Sequence, residues 1–166
     1  MNAQAMNLFI VDDNKLTVNG LKQYLYNRFG RDLNISTFYS GESCLEKVDQ
    51  NTNFVILDYF LKGKNGNEIL KSIKKINPKT EVIMLSSNED VGVAIESFRE
   101  GATDYLVKNG DAWRKIIPHV HKAIVGPIRR MAKEYRLSTF TSILFGLFVL
   151  IGIIVVIVLK FHPAVK

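Results

Sequence analysis

The strongest constraint on this chain is an alternation. Five short strand-like runs, Leu8–Asp12, Asn34–Phe38, Phe54–Asp58, Glu81–Ser86 and Asp104–Val107, are separated by segments in which apolar residues recur at helical spacing. Three of the runs contain "FIV", "FVIL" and "VIML", apolar without a break. Such strands belong to a parallel sheet covered on both faces. Strand followed by helix, repeated five times, implies parallel pairing through right-handed crossovers. The expected fold class is α/β, a flavodoxin-like doubly wound sheet of five parallel strands. The expected inner helical faces are Leu16, Gly20, Leu21, Tyr24 and Leu25, then Cys44, Leu45 and Val48, then Ile69, Leu70, Ile73 and Ile76, then Val91, Ile95 and Phe98. A fifth helix is expected after Asp111 as N-cap, interrupted at Pro118 and Pro127, which lack a backbone donor. Cys44 is the single cysteine, so no intramolecular disulfide can form, and its inward position marks a structural thiol.

The runs end on chemistry. Asp12 and Asp13 follow the first, Asp58 ends the third, Ser86 the fourth, and Lys108 follows the fifth. In a parallel sheet all five lie at carboxyl ends and so converge on one edge, where ligands of doubly wound folds bind. Three carboxylates in one cleft repel one another and raise each other's pKa. A hard divalent cation relieves that repulsion, and oxygen ligands of this kind suit Mg²⁺. The cation, the Lys108 ammonium and the Ser86 hydroxyl together suit the neutralisation of a phosphoryl group carried on one carboxylate.

These residues, in this order, resemble the receiver domain of two-component response regulators. The resemblance covers about residues 6–125. It rests on Asp12-Asp13, on "LDYFLKGKNG" with Gly66 eight positions after Asp58, on "VIMLSS" with Ser86, and on "FREGATDYLVK" with Tyr105 and Lys108. It implies that Asp58 is the phosphoacceptor for a histidine kinase or phosphotransfer protein. It implies that Asp13, Asp58 and the backbone carbonyl of Phe60 ligate Mg²⁺, with Asp12 acting through water. Ser86 and Lys108 would contact the phosphoryl oxygens. Ser86 and Tyr105 would act as the switch, altering a surface made by the fourth helix, fifth strand and fifth helix, through which a homodimer could form. No catalysis beyond self-phosphotransfer and self-dephosphorylation is implied, so the chain is not expected to be an enzyme in its own right. Two positions depart from the family pattern. Asn109 stands where the family usually has a cis proline after the lysine, which predicts a differently shaped loop at Lys108. Lys62 stands where proline is favoured in the loop after Asp58.

The remainder of the chain has another character. Residues 138–159 carry no charge, and Ile143 to Leu159 are all apolar or glycine. A helix over 138–159 would be roughly 33 Å long, against about 30 Å for the hydrocarbon core of a bilayer. One transmembrane helix is expected, and the N-terminus lacks the pattern of a signal peptide. Residues up to 113 hold 13 basic and 15 acidic side chains, whereas the rest hold 9 basic and 1 acidic. Arg129, Arg130, Lys133 and Arg136 immediately precede the apolar run. That asymmetry places the preceding domain in the cytoplasm and the basic cluster against lipid headgroups. The pI of about 9.4 is thereby explained without nucleic acid, which is not an expected partner. The expected organisation is a receiver domain over 1–126, a basic connector over 127–137, a transmembrane helix over 138–159 and a short non-cytoplasmic tail over 160–166.

Other function classes fit less well. A membrane-tethered adaptor of the same fold that works without phosphate is the nearest alternative. A phosphatase of the haloacid dehalogenase type needs a second acid two residues after the nucleophile, where this chain has Phe60. A flavin phosphate would be repelled by Asp12-Asp13. No ionisable residue lies within the apolar run, which argues against a channel or pump.

Overall fold

The computed structural model describes the backbone of residues 5–63 and 65–161; side chains 128–138 and 157–161 lie outside the described set. The expected basic cluster Arg129, Arg130, Lys133 and Arg136 and the tail beyond 161 therefore lie outside the described residues.

Five parallel strands form one sheet: β1 (Met6–Val11), β2 (Leu33–Phe38), β3 (Phe54–Asp58), β4 (Glu81–Ser86) and β5 (Asp104–Val107). Their order is β2-β1-β3-β4-β5, the flavodoxin-like doubly wound order with its switch point between β1 and β3. Register pairs Val11 with Leu57, and Asp58 with Leu85, which brings the ends of β1, β3 and β4 to one edge. Five helices intervene or follow: α1 (Lys15–Phe29), α2 (Gly41–Leu45), α3 (Gly66–Ile76), α4 (Val91–Arg99) and α5 (Ala112–Phe161). The sheet separates two apolar cores. On one side Leu8, Ile10 and Ile83 pack with α1 and the start of α5; on the other Val11, Leu57 and Met84 pack with α3 and Cys44. Burial pushes the Cys44 thiol up to about 12, as fits a structural cysteine.

Several helical faces differ from the sequence expectation. Leu16 is 83% exposed, and the buried residues of α1 are Val18, Leu21 and Leu25. Leu16 lies in the first turn, where Asn14 caps the helix by accepting from its N–H; the inward stripe begins only at Val18. Helix α2 stops at Leu45, so Val48 is buried from a turn and not from a helix. Val91, Ile95 and Phe98 lie on the outside of α4, whereas Ser97 is fully buried. Helix α5 runs unbroken through Pro118 and Pro127. A proline deletes a single backbone bond and crowds one carbonyl, a local cost of about 3 kcal/mol that the flanking turns absorb. Trp113 explains Gly20, since a Cβ there would stand 2.6 Å from the indole. Asp111 precedes α5, and its carbonyl accepts from Lys115.

The chain divides into two compact units, Met1–Ile124 and Val125–Lys166. Within the second, Thr139–Val156 has a mean hydropathy of 2.6. It is long and apolar enough to cross a bilayer by length and composition, and its apolar side chains are exposed all round.

Candidate functional site at the carboxyl edge of the sheet

Three carboxylates gather where β1 and β3 end. Oxygens of Asp12, Asp13 and Asp58 lie within 4.8 Å of one another. Asp12 is fixed from two sides: Oδ1 accepts from the Asn14 N–H at 2.8 Å, and Oδ2 from Lys108 Nζ at 2.7 Å. Asp58 is held similarly, with Oδ1 accepting from the Phe60 N–H at 3.2 Å and Oδ2 lying 2.8 Å from Lys108 Nζ. Lys108 thus bridges two acids that are only 4% exposed. Asp13 is left to Lys62, whose Nζ lies 3.7 Å from its Oδ2.

The local sequence explains this placement. Asn14 both caps α1 and donates to Asp12, which ties the start of that helix to the acid pair. Lys108 is set by its own N–H, which donates to the Ser86 carbonyl at 2.7 Å. Gly66 opens α3 where only glycine fits: a Cβ would stand 2.7 Å from the Asp58 carbonyl oxygen. Asn109 follows Lys108 in the loop after β5. No cis peptide occurs among the described residues, and Lys108 still reaches both carboxylates.

Burial raises the pKa of Asp58, outweighing the hydrogen bond and charge of Lys108, and the Asp12 charge adds to the rise. Burial alone would lower the pKa of Lys108, but its bonds to Asp12 and Asp58 more than reverse this and hold the ammonium above its ordinary value. The site therefore keeps a firmly charged lysine beside a carboxylate under electrostatic stress.

Ser86 is fully buried at the end of β4, and its Oγ accepts from the Asn88 N–H at 2.9 Å. The Asn88 carbonyl in turn accepts from the Tyr105 hydroxyl at 2.8 Å. Ser86, Asn88 and Tyr105 therefore form one hydrogen-bonded chain from the end of β4 through the following loop to β5. Phe60 is half exposed and stacks edge-on against Tyr59 at 4.9 Å. His119 lies away from this edge, paired with Asp104 at 2.8 Å. The roles of Asn14 and Lys62 were not read from sequence. The first was signalled by an Asx residue directly before a helical pattern; the second carries no local signal.

The family model of the response regulator receiver domain matches residues 8–117. The DNA-binding transcriptional regulator NtrC of Klebsiella pneumoniae is 35% identical over 83 residues, which cover 49% of this chain and 18% of NtrC. The transcriptional regulatory protein MalR of Bacillus subtilis is 31% identical over 105 residues, covering 62% of this chain and 44% of MalR. The chain thus spans less than half the length of these relatives. Among solved structures, the BeF3-activated DrrB receiver domain superposes with a TM-score of 0.64 at 27% identity, covering 72% of this chain and 97% of that one. Receiver domains act mainly as phosphoacceptors, bind Mg²⁺ at an acidic pocket and interact with histidine kinases or phosphotransfer proteins. With its carboxylate cluster at the matching sheet edge, this chain belongs to the response regulator receiver domain family.

Proposed function

We propose that this protein is a membrane-anchored receiver that takes a phosphoryl group onto Asp58 in a Mg²⁺-dependent relay and signals by protein contact. The observation that carries the reading is Lys108 Nζ, poised 2.7 and 2.8 Å from Asp12 and Asp58 in a cleft of three carboxylates. The donor set fits Mg²⁺, being made of hard carboxylate oxygens close together. Asp13, Asp58 and the Phe60 carbonyl would hold the ion, with Asp12 acting through water. When bound, the metal supplies positive charge opposite the phosphoryl oxygens.

The chain's own residues do the rest. A carboxylate oxygen of Asp58 bonds to phosphorus as the bond from phosphorus to the donor's imidazole nitrogen breaks, and the departing imidazole keeps that electron pair. Lys108 meets the incoming negative charge with its ammonium. Among the described residues the Ser86 Oγ accepts from the Asn88 N–H and donates to no other group, so its hydroxyl proton can turn to a phosphoryl oxygen. Movement of Ser86 towards the phosphoryl group strains its bond to Asn88, and through Asn88 the bond to Tyr105. The exposed apolar face of α4, with Val91, Ile95 and Phe98, supports an output made by protein contact.

Anchoring rests on Thr139–Val156 and on the charge asymmetry before it. The order of charges favours a cytoplasmic receiver domain.

The test uses the full chain in detergent micelles. Mg²⁺ with beryllium fluoride, a phosphoryl mimic, is expected to raise the melting temperature, and the Asp58→Asn variant is expected to show no such rise. Equal melting with and without the pair of ions in the native chain would favour the phosphate-independent adaptor. Alkaline carbonate extraction of membranes checks the anchor: the protein is expected to stay in the pellet.

A further inference from the structure

Lys62 approaches one carboxylate of the acid cluster from the solvent side. The loop that carries it is fixed on both sides: Leu61 is buried in the core beside α3, and Gly63 turns the chain at φ +96°. Between these anchors Lys62 projects into solvent, 88% exposed, and its Nζ approaches Asp13 Oδ2 at 3.7 Å. Lys108 is already shared by Asp12 and Asp58. Asp13 is the remaining carboxylate of the cluster, and Lys62 is its ion-pair partner among the described residues.

We propose that Lys62 is a built-in competitor of the divalent cation, which pairs with Asp13 in the metal-free protein and must release it before the ion can bind. The inference rests on the reading of Asp12, Asp13 and Asp58 as a Mg²⁺ site, and it adds a regulator of that site. Charge supports it. With both lysines in place, the three carboxylates are left with a single net negative charge, little attraction for a divalent ion. With Lys62 released, Mg²⁺ and Lys108 together balance the three acids. An exposed ion pair is weak and easily broken, so Lys62 tunes occupancy without blocking it. The competition is also screened by salt, because the lysine approaches Asp13 from the solvent side.

The experiment is calorimetric titration of Mg²⁺ into the full chain in detergent, at low and at high ionic strength. Lys62→Gln is expected to bind Mg²⁺ about two- to fivefold more tightly than the native chain at low salt, and Lys62→Glu more tightly again. The gain is expected to shrink at high salt. Lys79→Gln removes an exposed lysine away from the cleft and is expected to leave affinity unchanged. Equal affinities for the native chain and Lys62→Gln overturn the proposal, as does an equal gain from Lys79→Gln. If Asp13→Asn weakens binding while Lys62→Gln does nothing, the metal site stands and only the competitor falls. If no variant and no native chain takes up Mg²⁺, both fall.

Discussion

The two edges of the sheet bury polar groups in opposite ways. At the amino edge, where β1, β3 and β4 begin, amides and hydroxyls satisfy one another. An ammonium there, Lys74, donates to the Thr80 carbonyl at 2.6 Å, with no buried carboxylate cluster beside it among the described residues. Asn77 Nδ2 lies 3.2 Å from the carbonyls of Thr52 and Asp49, Thr80 Oγ1 donates to the Thr52 carbonyl at 2.8 Å, and Asn53 Oδ1 accepts from the Asn7 N–H. At the carboxyl edge three acids face one bridging lysine and a looser one. The first arrangement closes the fold. The second is left short of positive charge, and a metal ion and a phosphoryl group are the ligands that can use such an imbalance.

The difference can be broken or sharpened by substitution. Lys108→Ala strikes the charged edge hardest: turnover of the phosphoryl group on Asp58, uptake and loss together, is expected to fall by roughly 10²-fold, as read by the time course of the intact mass. A native rate in that variant would mean the lysine is only structural. Asn77→Ala strikes the amino edge. It removes the Nδ2 bonds to the Asp49 and Thr52 carbonyls, each of which keeps a second donor. It is expected to cost about 0.5–1.5 kcal/mol of stability per lost bond in denaturant titration, with phosphoryl turnover unchanged.

Asp58→Asn is expected to show the reverse of Asn77→Ala, a more stable metal-free fold at neutral pH. The folded state raises the pKa of Asp58. The protonated acid is therefore favoured by folding, and stability is lost as pH rises from the ordinary carboxylate value of 3.8 through the folded one. The gain in melting temperature should be present at pH 7 and vanish below that ordinary value. The smallest effect is expected at Phe60, whose half-exposed ring flanks the cleft. Phe60→Ser is expected to hasten loss of the phosphoryl group by admitting water, and an unchanged decay rate would remove Phe60 from the site's account.

The sequence made these edges legible to different degrees. Asp12, Asp13, Asp58, Ser86 and Lys108 could be placed together because unbroken apolar runs fix strand ends, and parallel strands put those ends on one edge. The strands themselves were found to within two residues, for the same reason. Helical faces were read less well. Apolar spacing put Leu16 inward, yet it lies in a first turn that faces solvent. It also put the Val91, Ile95 and Phe98 stripe of α4 inward, whereas that whole face is exposed and Ser97 is the buried residue. Periodicity gives the angle around a helix and says nothing of where the core begins along it. Helix α2 was too short to show a period, so Val48 was wrongly continued into it. Pro118 and Pro127 suggested breaks because their missing bonds are visible in sequence, whereas the intact bonds around them are not. The Lys62–Asp13 pair joins residues 49 positions apart on separate loops, and no local pattern announces such a meeting.

The most direct test of the account is covalent. The full chain in detergent would be incubated with Mg²⁺ and acetyl phosphate and its intact mass followed, beside the Asp58→Asn variant and a metal-chelated sample. The account predicts one added phosphoryl group on the native chain with Mg²⁺, and none on the variant or without metal. An unmodified native chain that nonetheless binds Mg²⁺, or an equal mass gain in Asp58→Asn, would contradict it.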